Sequence, residues 1–193
     1  MKIAIIGKGN VGSALGAGLE RTAHEIRYGH RDSKERVLDA ARWGEVIILA
    51  VPYHAVGDVV KHLGSAADGK VLVDVTNALD QNWELAVGFT SSAAEELQKL
   101  LPKARVVKAF NTVFAQNQST GRLGKDQLTA FIAGDDPNAK KIVMQLAHDI
   151  GFDPLDVGPL KAARYLEPMG MLLINLGYGL KMGPKIGFKL VKA

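Results

Sequence analysis

The chain has 193 residues, a net charge of +4 and a hydrophobic content of 47%, enough for one core and for a single domain over residues 1–193. It has no cysteine, so disulfides, thiolate catalysis and cysteine-based metal sites are excluded, and its 5 histidines show no metal-ligand spacing. The positive charge is modest and only 6% of residues are aromatic, with no basic stretch between aromatics, so no nucleic-acid partner is expected.

The N-terminal apolar run Ile3–Ile6 is too short for a signal-peptide core. The longest apolar stretch, Met169–Leu180, is too short to span a bilayer and contains Asn175. These features predict a soluble, cytoplasmic protein with no membrane partner.

The first strand is expected over Lys2–Ile6, followed at once by Gly7-Lys8-Gly9-Asn10-Val11-Gly12 and a helix over Asn10–Arg21. A strand, glycines at this spacing and a helix make a dinucleotide-binding turn. Gly7 turns the chain out of the strand, Gly9 lets backbone N–H groups approach a pyrophosphate, and Gly12 lets the helix pack on the strand. The pyrophosphate then lies on a positive helix N-terminus.

A second strand over Glu25–Tyr28 precedes Gly29-His30-Arg31-Asp32-Ser33. An NAD site places an acid here for the ribose 2′-hydroxyl. The first side chains past this strand are instead His30 and Arg31, with Ser33, Lys34 and Arg36 following. A guanidinium binds a 2′-phosphate in a bidentate manner, so NADP(H) is the expected cofactor. Lysine and arginine at the start of the next helix, expected over Ser33–Ala41, oppose the helix dipole unless an anion is bound there. Asp32, as a displaced NAD acid, is the argument on the other side.

The third strand, Val46–Ala50, leads into Val51, Pro52, Tyr53 and His54, which places Ala50 to Tyr53 beside the expected nicotinamide path. His54 reads as a cap or surface residue. A helix over Ala55–Leu63 follows. Strands over Val71–Asp74 and Val106–Ala109, with a helix over Ser92–Leu101 between them, bring Asn77, Asn111 and Thr112 to the same edge. These three either hydrogen-bond a nicotinamide carboxamide or acceptor ring, or cap strand-end turns. The polar segment 111–127 is long for a loop and is expected to be a substrate-side lid, with an ordinary surface excursion as the alternative. Strands over Ala130–Ala133 and Pro154–Val157 and helices over Pro137–Ile150 and Ala162–Leu176 complete the alternation. The pattern predicts a Rossmann-like, doubly wound α/β fold, with a mostly parallel sheet, helices on both faces, and residues 161–193 as a C-terminal helix and tail. Apolar residues in the stretch 167–187 either form a dimer contact or cover the last strand. The lysines at 181, 185, 189 and 192 read as a solvated tail or as an attraction for an acidic acceptor.

No Ser/His/Asp, Lys/Tyr or paired-carboxylate constellation stands out, and no catalytic acid or base is assigned. Hydride transfer between stacked rings needs none.

The glycine turn, Gly29-His30-Arg31, Ala50-Val51-Pro52-Tyr53-His54-Ala55, Gly134-Asp135-Asp136, Pro154-Leu155-Asp156-Val157-Gly158-Pro159-Leu160 and the tail Met182-Gly183-Pro184-Lys185-Ile186-Gly187 together resemble the deazaflavin-dependent NADP oxidoreductases. The resemblance covers essentially the whole chain. It implies an NADP(H) enzyme that exchanges hydride with a 5-deazaflavin (coenzyme F-420), as a homodimer. The stretch Val107-Lys108-Ala109-Phe110-Asn111-Thr112-Val113-Phe114-Ala115 is instead similar to the reductase domain of the six-transmembrane epithelial antigen metalloreductases, which passes hydride to a flavin. The deazaflavin reductases typically have histidine where Asn111 stands, which leaves deazaflavin and flavin both open as the small-molecule acceptor. An imine or small-carbonyl reductase and a non-catalytic NADP sensor are the competing readings.

Overall fold

The computed structural model describes residues 1–30 and 36–191. Its strands are β1 (Lys2–Ile6), β2 (Glu25–Gly29), β3 (Val46–Leu49), β4 (Val71–Asp74), β5 (Arg105–Lys108), β6 (Arg122–Leu123), β7 (Asp126–Gln127), β8 (Thr129–Gly134) and β9 (Asp153–Asp156). Seven of them form one sheet in the order β2-β1-β3-β4-β5-β8-β9. The helices are α1 (Asn10–Leu19), α2 (Val37–Trp43), α3 (Val56–Leu63), α4 (Ala93–Leu100), α5 (Ala115–Gln118), α6 (Pro137–Ile150) and α7 (Ala163–Ile174).

The inner strands are unbroken valine, isoleucine and leucine runs because both faces of the sheet are covered. Ile3, Ile5, Val46, Ile48, Val71 and Val73 pack with Leu15 and Leu19 of α1 and Val143 and Leu146 of α6. Ile6, Ile47, Leu49 and Leu72 pack on the other side with Ala40 of α2, Val60 of α3 and Leu97 of α4. Sheet and helices therefore make the three layers expected from the alternating pattern.

Strands β1 to β5 are parallel, and their register aligns the strand ends. Ile6 pairs with Gly29 and Leu49, Leu49 with Asp74, and Asp74 with Lys108. The residues that follow this row all emerge at one edge. Because β2 and β3 flank β1, consecutive connections leave β1 on opposite sides, and the crevice between β1 and β3 is the topological switch point of the fold. Beyond β5 the direction reverses. β8 runs antiparallel to β5, and β9 is parallel to β8.

Local sequence fixes the helix ends. Ser92 caps α4: its hydroxyl accepts from the N–H of Glu95 at 3.2 Å and donates to the Glu95 carboxylate at 2.7 Å. Asp136 caps α6 by accepting from the Ala139 N–H at 2.7 Å, with Pro137 in the first turn. Gly151 closes α6 in the left-handed conformation, φ +117°.

Two expectations change. The helix expected over Ser33–Ala41 is described from Val37 to Trp43 with Arg36 as its N-cap, while Ser33, Lys34 and Glu35 lie outside the described residues. The segment 111–127 is not a lid. Asn111 to Phe114, Asn117 and Gln118 are buried, and the segment folds into α5 and the β6–β7 hairpin. Its polar residues are consumed internally: Gln118 donates to the carbonyls of Phe110 at 2.7 Å and Val113 at 3.0 Å. Arg21, in the turn that follows α1, donates to the Ser119 carbonyl at the end of α5. Among the described residues, no helix is long and apolar enough to cross a membrane.

Candidate functional site

The glycine turn is built as its spacing implies. Gly7 has φ +106°, and a Cβ there would collide with the Ala50 carbonyl at the end of β3. Its N–H donates to the Gly29 carbonyl at 2.9 Å, and the Ala50 N–H donates to Ile6 at 2.8 Å. The turn is thus locked between β2 and β3. Gly12 is buried, and a Cβ on it would strike the Gly7 carbonyl. Gly9 is different. It is exposed, is the N-cap of α1, and a Cβ would meet nothing within 4 Å. No side chain caps this helix and no acid stands in its first turn. The free N–H groups of the first turn therefore face solvent beside Gly9 and Asn10.

Gly7 also borders a cleft of about 750 Å³ at the switch point. Gly7 and Gly29 form its floor, His30 and Arg36 one wall, and Val51, Pro52, His54, Asp58 and His62 the other. Arg36 is exposed and His30 half-buried. Arg31 and Ser33 lie outside the described residues. Lys8 is exposed above the turn, its ammonium 5.1 Å from the centre of the Tyr28 ring. Burial, with the nearby Glu20 carboxylate, pushes the Tyr28 phenol up. His54, read from the sequence as a cap or surface residue after the third strand, lines the cleft, and so does His62 on α3, which the pattern did not single out.

On the far side of β3, Tyr53 is half-buried, and burial together with Glu167, Glu96 and Asp74 pushes its phenol up. Asn77 and Asn111 meet as anticipated from their strand ends. Asn77 Nδ2 donates to the Asn111 carbonyl at 3.2 Å, and Asn111 Nδ2 donates to Asn77 Oδ1 at 3.1 Å and to the Leu166 carbonyl of α7 at 2.7 Å. Asn77 is half-buried, whereas Asn111 and Thr112 are 5% and 1% exposed. Asn111 Oδ1 is buried without a hydrogen-bond partner. Gly170 lets α7 lie directly on this pair, since a Cβ there would collide with Asn77 Oδ1 and come within 2.9 Å of Asn111 Nδ2. Phe110, between β5 and Asn111, is buried with φ +64°, a conformation that costs a non-glycine residue about 1–2 kcal/mol.

Beneath the pair lies a charge cluster the sequence reading did not single out. Lys108 Nζ is 2.9 Å from Asp74 Oδ2, 3.0 Å from Glu167 Oε1 and 2.6 Å from the Thr76 carbonyl. All three charged side chains are at most 1% exposed. Burial works against the ammonium, yet Asp74 and Glu167 outweigh it and hold Lys108 above the ordinary lysine range. The only sequence signal was the placement of Asp74 at the end of one apolar strand and of Lys108 within another. Among the described residues, no group of three or more histidine, cysteine, aspartate or glutamate side chains could hold a metal ion.

The family profile described as NADP oxidoreductase, coenzyme F420-dependent, matches residues 2–78, which span the glycine turn, β2, β3 and Asn77. The F420-dependent NADP reductase of Methanothermobacter marburgensis is 32% identical over 209 residues, covering 91% of this chain and 92% of that protein. The metalloreductase STEAP3 of Rattus norvegicus is 32% identical over 189 residues, 90% of this chain but 37% of that protein, so the chain spans little more than a third of the metalloreductase. Among solved structures, a candidate F420-dependent NADP reductase from an Arthrobacter species superposes with a TM-score of 0.92 and 28% identity, covering 100% of both chains. With its cleft, its strand order and these relatives in agreement, the chain belongs to the family of coenzyme F420-dependent NADP oxidoreductases.

Proposed function

We propose that this chain binds NADP(H) in the β1–β3 cleft and exchanges a hydride with a deazaflavin of the coenzyme F420 type. The observation that carries the reading is the uncapped N-terminus of α1, exposed at Gly9, two residues beyond Gly7, which lines the cleft together with Gly29. The pyrophosphate rests on the N–H groups of Gly9 to Gly12, with Lys8 above it. His30 and Arg36, together with Arg31 and Ser33, hold the 2′-phosphate. Ala50, Val51, Pro52 and Tyr53 line the nicotinamide side, and Asn77 offers its amide there with Asn111 and Thr112 behind it. NADPH, when bound, supplies the hydride. The chain orients the two rings and excludes water, and no side chain needs to move a proton.

Family membership supports the deazaflavin acceptor. A flavin acceptor is the second reading, supported by the likeness to the metalloreductase across 90% of the chain and by asparagine at position 111. A homodimer is supported by α7, which leaves Tyr165 and Leu172 exposed at 77% and 50%. The test follows NADPH oxidation by absorbance with coenzyme F420, FMN, FAD and riboflavin offered in turn, and NADH as control. Turnover with F420 is expected. Turnover with flavins alone transfers the chain to the second reading, and silence with every acceptor overturns both.

A further inference from the structure

The Lys108–Asp74–Glu167 cluster ties together β4, β5, α4 and α7 beneath the Asn77–Asn111 pair. We infer that Lys108 is a positioning residue for hydride transfer: it sets the Asn77–Asn111 pair, and so the seat of the nicotinamide, through Asp74 and Glu167. The inference rests on the cofactor placement proposed above.

The geometry accounts for all three ammonium protons. One reaches Asp74 on β4, one Glu167 on α7, and one the Thr76 carbonyl, directly before Asn77. Asp74 Oδ1 also accepts from the Thr76 N–H at 2.9 Å, so the β4 exit is fixed on both sides of its peptide. Lys108 itself ends β5, three residues before Asn111, with the left-handed Phe110 between them. Glu167 accepts from the N–H groups of Ala93 at 2.9 Å and Ala94 at 3.2 Å, which docks α7 on the α4 N-terminus. Two carboxylates against one ammonium leave a negative excess, and the α4 dipole offsets it. On either side of Glu167, α7 touches the same pair: the Leu166 carbonyl accepts from Asn111, and Gly170 lies on Asn77. The pair therefore has no independent means of placement. The charges of the cluster also act on Tyr53, which neighbours the cleft-lining Pro52 and His54.

A buried ion cluster of this kind is weak evidence for stability as such, because apolar replacements of whole clusters are often tolerated. Its connections to both asparagines argue for placement instead. Removing the ammonium alone leaves two buried carboxylates facing each other, which moves α7 and the β4 exit apart.

The test compares the parent with Lys108→Met, Glu167→Gln and the uncharged triple variant Asp74→Asn/Lys108→Met/Glu167→Gln. NADPH affinity is held mainly by phosphate contacts at the other end of the cleft, so it is expected to stay within about threefold in Glu167→Gln and the triple variant. In the same proteins kcat is expected to fall by about tenfold or more, and the fluorescence emission of bound NADPH to shift. Should Lys108→Met fail to fold, Glu167→Gln and the triple variant decide. A folded variant with kcat within about twofold of the parent and unchanged emission overturns the inference, as does an equal loss in affinity and kcat that follows thermal stability alone. The emission of bound NADPH needs no acceptor. It reads the placement even if the parent turns over none of the acceptors offered, an outcome that would count against the proposed reaction and not against the role of Lys108.

Discussion

The α-carbon of Gly12 lies against the carbonyl oxygen of Gly7, so the first turn of α1 rests on the residue that carries the chain out of β1. A single methyl group at Gly12 forces that carbonyl or the helix to move. Leu15 and Leu19, one and two turns along α1, are fully buried and resist the movement. Gly12→Ala is expected to destabilise the protein by about 1–3 kcal/mol, read as a lower urea midpoint with an unchanged slope.

Gly9 gives the opposite expectation. Its missing Cβ points to open space, and its φ of −76° suits any residue. Gly9→Val should fold with a melting temperature near that of the parent. Its side chain stands where the pyrophosphate must approach the α1 N–H groups, so binding of NADPH and NADH should both fall beyond detection in a calorimetric titration. Retained affinity for either would place the nucleotide elsewhere.

Arg36 is exposed on the wall of the cleft and N-caps α2. Reversing its charge acts on the 2′-phosphate, the one group that NADPH has and NADH lacks. Arg36→Glu is expected to weaken NADPH binding by about tenfold, the equivalent of one charge-assisted hydrogen bond, and to leave NADH within about twofold. Arg31→Glu carries the same expectation from the sequence pattern. Equal losses for both nucleotides would remove these residues from phosphate recognition.

The fold was legible where the signal is local. Apolar runs such as Val46–Leu49 and the glycines at 7, 9 and 12 each report a local constraint, and both appear where expected. The reversal at β8 was not legible, because its apolar run reads alike in either strand direction. The misread segment 111–127 shows the same limit. Its polar residues suggested solvent, whereas Gln118 is fully buried and spends its amide donors on two backbone carbonyls. Asp74, Lys108 and Glu167 are separated by 34 and 59 residues (108 − 74; 167 − 108), and each alone resembles an ordinary strand-end or helix charge. The register that pairs Asp74 with Lys108 and the docking of α7 on the α4 N-terminus bring them together.

Arg164 on α7 grips Glu95 on α4 with two hydrogen bonds of 2.8 and 2.7 Å. The hydrogen bond from Arg164, aided by Ser92, holds the Glu95 carboxyl below its ordinary value of 4.5. A depressed folded-state value means that the contribution to stability is complete above the unfolded value and is lost as pH falls through the folded one. Glu95→Gln is therefore expected to lower the melting temperature at neutral pH. The gap to the parent should close as pH drops below the carboxylate range. A gap that persists in acid would assign the effect to helix capping alone.

The most direct test of the account is a paired titration of the parent with NADPH and NADH at fixed salt and neutral pH, read by the fluorescence of the bound reduced nicotinamide. The account predicts saturable NADPH binding at one site per chain, with NADH weaker by about tenfold or more, as expected for the loss of charge-assisted contacts to a phosphate. Equal affinity for the two nucleotides, or no binding of NADPH, would contradict it.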